Sequence, residues 1–414
     1  MAKAKAKAKV KAKSKAKAKP VVKKDDDFAA LLIKSLNQDF KTKVAYNLAV
    51  DESPTHVKSW TSTGSKMLDY ICSNRRNGGL PEGRIVEVFG PPSIGKSHVA
   101  TQVARSTQAA GGIVVYIDTE NATSVENLKM LGCDVATKFV YVDTHCTEEV
   151  LDIAEKTILK ARALDKNVPV TIIWDSVAAS SPKAELLGDY DKESIGLQAR
   201  AISKGMRKIT GVIGQTNALF LILNQIRTKI GVMYGDPDTT PGGKAIPFHS
   251  SIRIKLGGGQ QIKDAAGDVI GVKCWAKTVK NKVAPPFRKV DFEIHFGIGI
   301  KEHEQLFDLL RTHGEVENEG FKYQVSGHGS WKLITKLDAK TNELIADRKF
   351  YKKHFDQVIV SPEWEEPVNI LLHDAMFKVM NTGESVDIDT DSYEEVSALG
   401  ELLGGDDFDE RDIQ

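Results

Sequence analysis

The eight residues Gly90-Pro91-Pro92-Ser93-Ile94-Gly95-Lys96-Ser97 constrain this chain more than any other stretch. They match G-x-x-x-x-G-K-[ST] at every fixed position. An apolar run, Arg84–Phe89, leads into them, and a helical period, His98–Ala109, follows. A strand, a glycine loop and a helix in that order make a phosphate cradle. The glycines let backbone N–H groups curl around an anion, and the helix N-terminus adds its positive dipole end. Gly90 to Ser97 are therefore expected to bind ATP. Lys96, read as exposed in the loop, would reach the β- and γ-phosphates, and the Ser97 hydroxyl would ligate Mg²⁺. The plain alternative is a glycine-rich turn with no ligand. At average residue frequencies, a chance match in a chain this long is on the order of one or two per cent.

A phosphate-bound Mg²⁺ needs a carboxylate nearby. Val170-Thr171-Ile172-Ile173-Trp174-Asp175 reads as a buried strand ending in Asp175, the Walker B form. Alone this is weak evidence, because Asp often caps strand ends. Hydrolysis also needs a group to orient or deprotonate water. Ile117-Asp118-Thr119-Glu120 ends another strand, and a carboxylate there faces the edge where doubly wound sheets bind ligands. Glu120 is the candidate, against the reading of a solvated loop acid. Leu223-Asn224-Gln225 brings an amide to the same edge, where Gln225 could sense a γ-phosphate. The stretch that follows, Ile226–Pro241, is long and glycine-rich, and Gly242-Gly243 closes it. It reads as a mobile loop, as does Glu185–Gly196.

The runs Arg84–Phe89, Ile113–Asp118, Phe139–Val142, Val170–Asp175 and Ala218–Leu223 alternate with helical stretches. That is the pattern of an α/β fold, a mostly parallel sheet flanked by helices. Ser250–Leu256, Val269–Val279 and Lys289–Phe296 follow with turns and no long helix, so they are expected to extend one sheet edge as hairpins. Phe28, Leu31, Leu32, Leu36 and Phe40 have helical spacing behind Asp25–Asp27. The apolar face of that helix could pack on its own domain or, as an oligomerisation helix, on a neighbouring subunit. The expected division is a Lys/Ala tail (1–24), this N-terminal helix and linker (25–60), an ATPase core (61–312), a small C-terminal α/β domain (313–383) and an acidic tail (384–414).

Net charge is misleading here. The formal sum over 414 residues is only +1, yet residues 1–24 hold eleven Lys and no acid, and residues 384–414 hold twelve acids and one Arg. Both ends have too little apolar content to fold alone. The basic end is expected to contact nucleic-acid phosphates or merely to solubilise. Cys72, Cys133, Cys146 and Cys274 form no C-x-x-C pair, which argues against a zinc ribbon or redox pair. No stretch approaches the roughly 18 apolar residues of a membrane span, so no membrane partner is expected.

Longer strings carry a family resemblance. Gly79-Leu80-Pro81-Glu82-Gly83-Arg84-Ile85-Val86-Glu87, the P-loop, Tyr116–Glu120, Trp174–Ala179 and Pro182–Glu185 all take part. The longest string runs from Asn224-Gln225-Ile226-Arg227 through Lys229–Gly235 to Gly242-Gly243. Lys280-Asn281-Lys282 and Pro286-Phe287 complete it. Over roughly Thr61 to Leu310 the chain resembles the RecA recombinase family.

The resemblance implies a RecA-like P-loop core and an ATPase that forms a homo-oligomeric helical filament on single-stranded DNA and pairs it with double-stranded DNA. It assigns Lys96 and Ser97 to phosphate and Mg²⁺, Asp175 to the metal, Glu120 to water, and Gln225 to nucleotide sensing. Arg200, Arg207, Arg227, Lys229, Gly242 and Gly243 are assigned to DNA. The two arginines, seven residues apart, share a helix face. Lys280 and Lys282, expected on one strand face, look like the pair that reaches a neighbouring subunit's ATP. Asn127 stands where the family commonly puts an aromatic against adenine. The Lys/Ala tail and the region after Leu310 also depart from the pattern. These departures suit a divergent copy of the kind a phage carries. The expected compartment is the bacterial or host cytoplasm. The rival readings are a hexameric helicase on the same core, a DNA-binding mediator paralogue without hydrolysis, and a DNA-compacting protein.

Overall fold

The computed structural model describes residues 28–41, 43–51, 53, 55–189, 196–228, 238–328 and 331–380. The Lys/Ala tail, the acidic tail, Lys229 and residues 190–195 of the stretch read as a first loop lie outside them. Among the described residues two compact units are distinguished, divided between His56 and Val57. In the first, helix α1 (Phe28–Asp39) follows the expected period, and Phe28, Leu31 and Leu32 of its apolar set are exposed. The Asn37 side chain accepts from Val44 N and Ala45 N, which fixes the turn after the helix.

The second unit begins with β1 (Trp60–Thr61), α2 (Lys66–Ser73) and β2 (Leu80–Pro81), of which β1 and β2 pair. Ser65 caps α2, its hydroxyl accepting from Leu68 N, as an N-cap serine should. The central elements are then β3 (Ile85–Gly90), α3 (Lys96–Ala109), β4 (Ile113–Asp118), α4 (Val125–Met130), β5 (Phe139–Asp143), α5 (Thr147–Leu164), β6 (Val170–Asp175), α6 (Lys183–Leu186), α7 (Leu197–Thr216) and β7 (Leu219–Gln225). The short strands β8 (Arg227–Thr228) and β9 (Asp238–Thr239) pair with each other, and α8 (Ala245–His249) follows. Next come β10 (Ile252–Lys263), β11 (Val269–Asn281), β12 (Lys289–His295) and β13 (Gly299–Lys301).

Nine strands form one sheet in the order β13-β12-β11-β10-β3-β7-β6-β4-β5. From β10 to β5 every neighbour is parallel, and β11, β12 and β13 add antiparallel hairpins at one edge. This is the mostly parallel, helix-flanked sheet expected, with the hairpin edge in its expected place. The middle strands are buried on both faces, so alternate residues enter two cores. Leu219, Leu221 and Leu223 of β7 join one with α2 and α3, while Phe220 and Ile222 join the other with α5 and α7. Each fully buried aliphatic or aromatic side chain contributes roughly 1.5–3 kcal/mol.

The chain closes with α9 (His303–His313), β14 (Glu315–Asn318), β15 (Phe321–His328), β16 (Trp331–Asp338), β17 (Leu344–Tyr351), α10 (Phe355–Ile359) and α11 (Glu365–Met380). The strands form an antiparallel meander, and α9, α10 and α11 lie beside it in sequence rather than alternating with it. Phe307, Phe350 and Phe355 meet edge-to-face or stacked between sheet and helices. These residues belong to the same apolar cluster as α2 and α3. Glu302 accepts from the Ser65 hydroxyl and Lys66 N at the start of α2, and burial pushes its carboxyl up to about 7. Among the described residues no helix is long and apolar enough to cross a membrane.

Candidate active site

Strand register assembles the site. Gly90 at the end of β3 pairs with Gln225 at the end of β7, and Asp118 at the end of β4 pairs with Asp175 at the end of β6. Four motif strands therefore deliver their last residues to one carboxyl edge. The loop Gly90–Gly95 crosses above them. Ser93 and Gly95 have positive φ, 58° and 100°, which helps turn successive N–H groups inward as an anion nest. A Cβ on Gly95 would lie 2.2 Å from Ile294 Cδ1 and would have to push that methyl aside.

A cleft of about 340 Å³ is lined by Pro92, Ser93, Gly95, Lys96, Ser97, His98, Glu120, Asp175 and Gln225. Gly90, Pro91 and Ile94 shape the loop around it. Lys96 is not exposed as expected. It is 8% exposed, because the loop wraps its stem and its ammonium donates to Gly90 O at 3.2 Å and Pro91 O at 2.7 Å. Burial lowers its pKa, against the pull of Asp175 and Glu120.

The Ser97 hydroxyl donates to Asp175 Oδ2 at 2.8 Å, and the Tyr116 hydroxyl to the same oxygen at 2.6 Å. Burial raises the Asp175 carboxyl, while those two hydroxyls hold it down. A hydroxyl and a carboxylate in contact beside a phosphate cradle are hard oxygen donors of the kind Mg²⁺ takes together with nucleotide phosphates, so the residues fit that ion. Among the described residues no group of three or more His, Cys, Asp and Glu could hold a metal on its own.

Glu120 is bracketed. Its Oε1 accepts from the Ser176 hydroxyl and, at 3.0 Å, from the Gln225 amide. Two residues singled out for separate reasons, Glu120 and Gln225, are thus in direct contact. The turn that holds Glu120 is fixed by Asp118, which accepts from Glu120 N at 2.9 Å and Thr123 N at 3.0 Å. Thr119 N donates to Asp175 O, and its hydroxyl to Ser176 O. Asp175 and Ser176 are joined by a cis peptide bond.

Beneath the edge, the Glu87 carboxylate is fully buried. It pairs with Arg253 Nε at 2.5 Å and accepts from Asn224 Nδ2 at 3.1 Å. Asn224 also donates to Pro241 O at 3.1 Å, so one amide touches both this ion pair and the chain returning from the loop. Arg253 pairs across strands with Lys280.

Arg200 and Arg207 lie on one face of α7, as their spacing requires. They line an open cleft of about 700 Å³ with Lys244, Phe248 and His249. Lys280 donates to Pro247 O at 2.6 Å and Phe248 O at 2.9 Å. Burial first, then Lys282 and Arg253, pushes its pKa down to about 8. Lys282 is not on the strand as expected, because β11 ends at Asn281. Its N–H still bonds Ser251 O, which carries the line of the ladder one residue further. Burial, then Lys282, Arg207 and Lys280, depresses His249. Arg227 is exposed on β8. Gly242 and Gly243, with φ of 89° and 70°, pack on α7, where a Cβ would fall 2.9 Å from Ile202 Cδ1 and from Ala199 Cβ respectively. Asn127 is exposed on α4, its N–H given to Ser124 Oγ.

The sequence reading missed Tyr116, Ser176, His98 and the Glu87–Arg253 pair. Tyr116 and Ser176 sit inside the strings already singled out, two residues before Asp118 and one after Asp175. Their side chains had given no chemical signal of their own. His98 lines the cleft, and burial lowers its pKa.

Comparison with known proteins points to one family. The family profile described as RecA N-terminal domain matches residues 29–301. Protein RecA of Chloroherpeton thalassium is 38% identical over 331 residues, covering 80% of this chain and 89% of that protein. Protein RecA of Staphylococcus aureus strain JH9 is 39% identical over 300 residues, 71% of this chain and 83% of that one.

Proposed function

The chain belongs to the RecA family, and from that premise we propose that it is an ATP-dependent recombinase that forms filaments on single-stranded DNA and drives homologous pairing and strand exchange. One observation carries the reading furthest: the Glu120–Gln225 contact lies in the P-loop cleft, and the loop that resembles the family's DNA loop starts at the next residue.

The loop amides and Lys96 hold the β- and γ-phosphates of ATP. Ser97 and Asp175 would hold Mg²⁺, which when bound would supply positive charge beside the phosphates. Glu120 orients a water and takes its proton as the water oxygen bonds to the γ-phosphorus. The bond to the β-phosphate oxygen breaks, leaving ADP and phosphate. Positioned charge of this kind is the main source of rate in phosphoryl transfer.

Gln225 can give its amide to Glu120 or to a γ-phosphate oxygen. That choice biases the segment after it, a two-state element of the sort nucleotides switch. Asn224, bonded to both Glu87 and Pro241, anchors the two ends of that segment. DNA is met by Arg200, Arg207, Arg227, Lys229, Gly242 and Gly243, mostly at phosphates, so base sequence matters little. Lys280 and Lys282 reach the ATP of the next subunit in the filament. Cytoplasmic location, DNA repair and a place in the response to DNA damage follow from the same family reading.

The test is ATP hydrolysis with and without single-stranded DNA, with filament length read by electron microscopy. Stimulation by single strands together with ATP-dependent filaments supports the reading. Hydrolysis indifferent to DNA, or unwinding of forked duplexes by closed rings, favours the helicase.

A further inference from the structure

A cavity of about 270 Å³ lies between α2 and α11 and shares no lining residue with the P-loop cleft or the Arg200 cleft. Trp60, Lys66, Tyr70, Arg75, Asn77 and His373 are among its walls. Nothing in the nucleotide or DNA chemistry above uses them.

The walls are held firmly. Helix α2 ends at Asn74, which is left-handed at φ 54°. Its N–H bonds Tyr70 O, and its side-chain oxygen accepts from Arg288. Asn77 is left-handed too, at φ 52°. A Cβ on Gly78 would fall 1.8 Å from Ser73 Oγ, so only glycine lets the turn close on the helix. The closed turn holds the Arg75 guanidinium 5.4 Å from the centre of the Trp60 ring.

The electrostatics point one way. Lys66, Arg75 and Arg76 line the cavity, against one acid, Asp69. Asp69 is already spent: Oδ2 accepts from Ser62, and Oδ1 from the N–H and hydroxyl of Thr63. Arg76 is paired with Glu366 at 2.7 Å. Lys66 gives one bond, to Asn369 Oδ1, and an ammonium has more to give. Among the described residues Arg75 has no carboxylate partner. Tyr70 is 3% exposed, and among the described residues its hydroxyl has no hydrogen-bond partner. Buried polar groups are rarely left unpaired, because desolvation without a bond is costly. Burial raises the Tyr70 pKa, so the group stays a donor.

We propose that this cavity binds the phosphate group of a small molecule. Tyr70, Arg75, Lys66 and Asn77 offer donors from several sides. A tetrahedral dianion has oxygens for all of them, whereas a carboxylate has two. The guanidinium fork suits phosphate in particular. Leu372 and the Trp60 ring give an apolar wall for any organic part. An occupant touches both α2 and α11, and so pins the last helix to the core.

The probes are inorganic phosphate and AMP, titrated calorimetrically into the full-length protein and into Lys96→Ala, Arg75→Gln and Tyr70→Phe. Tyr70→Phe keeps the ring and removes a hydroxyl without a hydrogen-bond partner among the described residues, so its fold survives. The expected result is saturable binding that persists in Lys96→Ala and weakens roughly tenfold or more in both cavity variants. Tighter binding of AMP than of phosphate identifies an organic phosphate as the occupant, and equal binding identifies the free ion. Binding lost in Lys96→Ala but unchanged in Arg75→Gln places the phosphate on the P-loop and overturns the proposal. So does the absence of saturable binding in all four proteins.

Discussion

Replacing Glu120 by Gln separates its chemical role from its structural one. Its Oε1 accepts from Ser176 and Gln225, and a Gln amide oxygen can accept both bonds while keeping the side chain's size. The fold and ATP affinity should therefore change little. What is lost is the base, and general-base catalysis is typically worth about 10²–10⁴ in rate, or about 2.7–5.4 kcal/mol of barrier. Ser176→Ala is the matched control. Ser176 is buried and gives Glu120 one charge-assisted bond. Its loss leaves the base present but loosely aimed, a fall in kcat of about tenfold. If both act through one carboxylate, the double variant should be no slower than Glu120→Gln alone, because residues that act as a unit are not additive. Single-turnover hydrolysis with saturating single-stranded DNA reads the chemical step. Glu120→Gln within about threefold of the parent would refute the assignment. A double variant slower by the product of the two effects would show that Ser176 acts elsewhere.

Gln225→Ala should still bind ATP, while single-stranded DNA no longer stimulates hydrolysis and a slowly hydrolysed ATP analogue no longer tightens DNA binding. Linkage requires the analogue's affinity to lose its DNA dependence by the same factor, which paired titrations check. Arg253→Ala leaves the fully buried Glu87 carboxylate without its cation, and urea unfolding should show a loss of about 3–5 kcal/mol. Arg253→Ala within about 1 kcal/mol of the parent would mean that the pair is solvated in solution. Lys280 titrates at about 8, so the charge it can offer a phosphate is present below that pH and disappears above it. DNA-stimulated hydrolysis should fall as pH rises through about 8, and Lys280→Arg should move the fall upward because guanidinium stays charged. A profile unmoved by Lys280→Arg assigns the fall to another group.

The centre of the sheet was legible because its middle strands are near-continuous apolar runs buried on both faces, and Val170–Asp175 and Ile113–Asp118 have the bounds read from sequence. The P-loop, Asp175 and Gln225 were legible at strand ends and Glu120 in the turn just past one, and parallel register brings strand ends together. Side-chain partnerships were not legible. Tyr116 reads as one more apolar strand residue, and only the pairing of β4 with β6 shows that its hydroxyl reaches Asp175. The burial of Lys96 was hidden because it depends on how the loop folds over its own lysine. The C-terminal meander gave little signal because charged residues share a face with apolar ones in β16 and β17. In β16, Lys332 and Lys336 point their ammonium groups over the rings of Phe307 and Phe321 and so occupy apolar-face positions. Aliphatic stems buried under a charged head defeat a simple alternation rule.

ATP-dependent pairing of homologous DNA is tested most directly by joint-molecule formation between a single strand and a supercoiled duplex. Four reactions suffice: homologous and heterologous duplex, each with ATP and with ADP. The expected result is joint molecules only with homologous duplex and ATP, and none with Lys96→Ala under any condition. Joint molecules that form with ADP, or equally with heterologous duplex, would contradict a recombinase and leave only a DNA-binding ATPase.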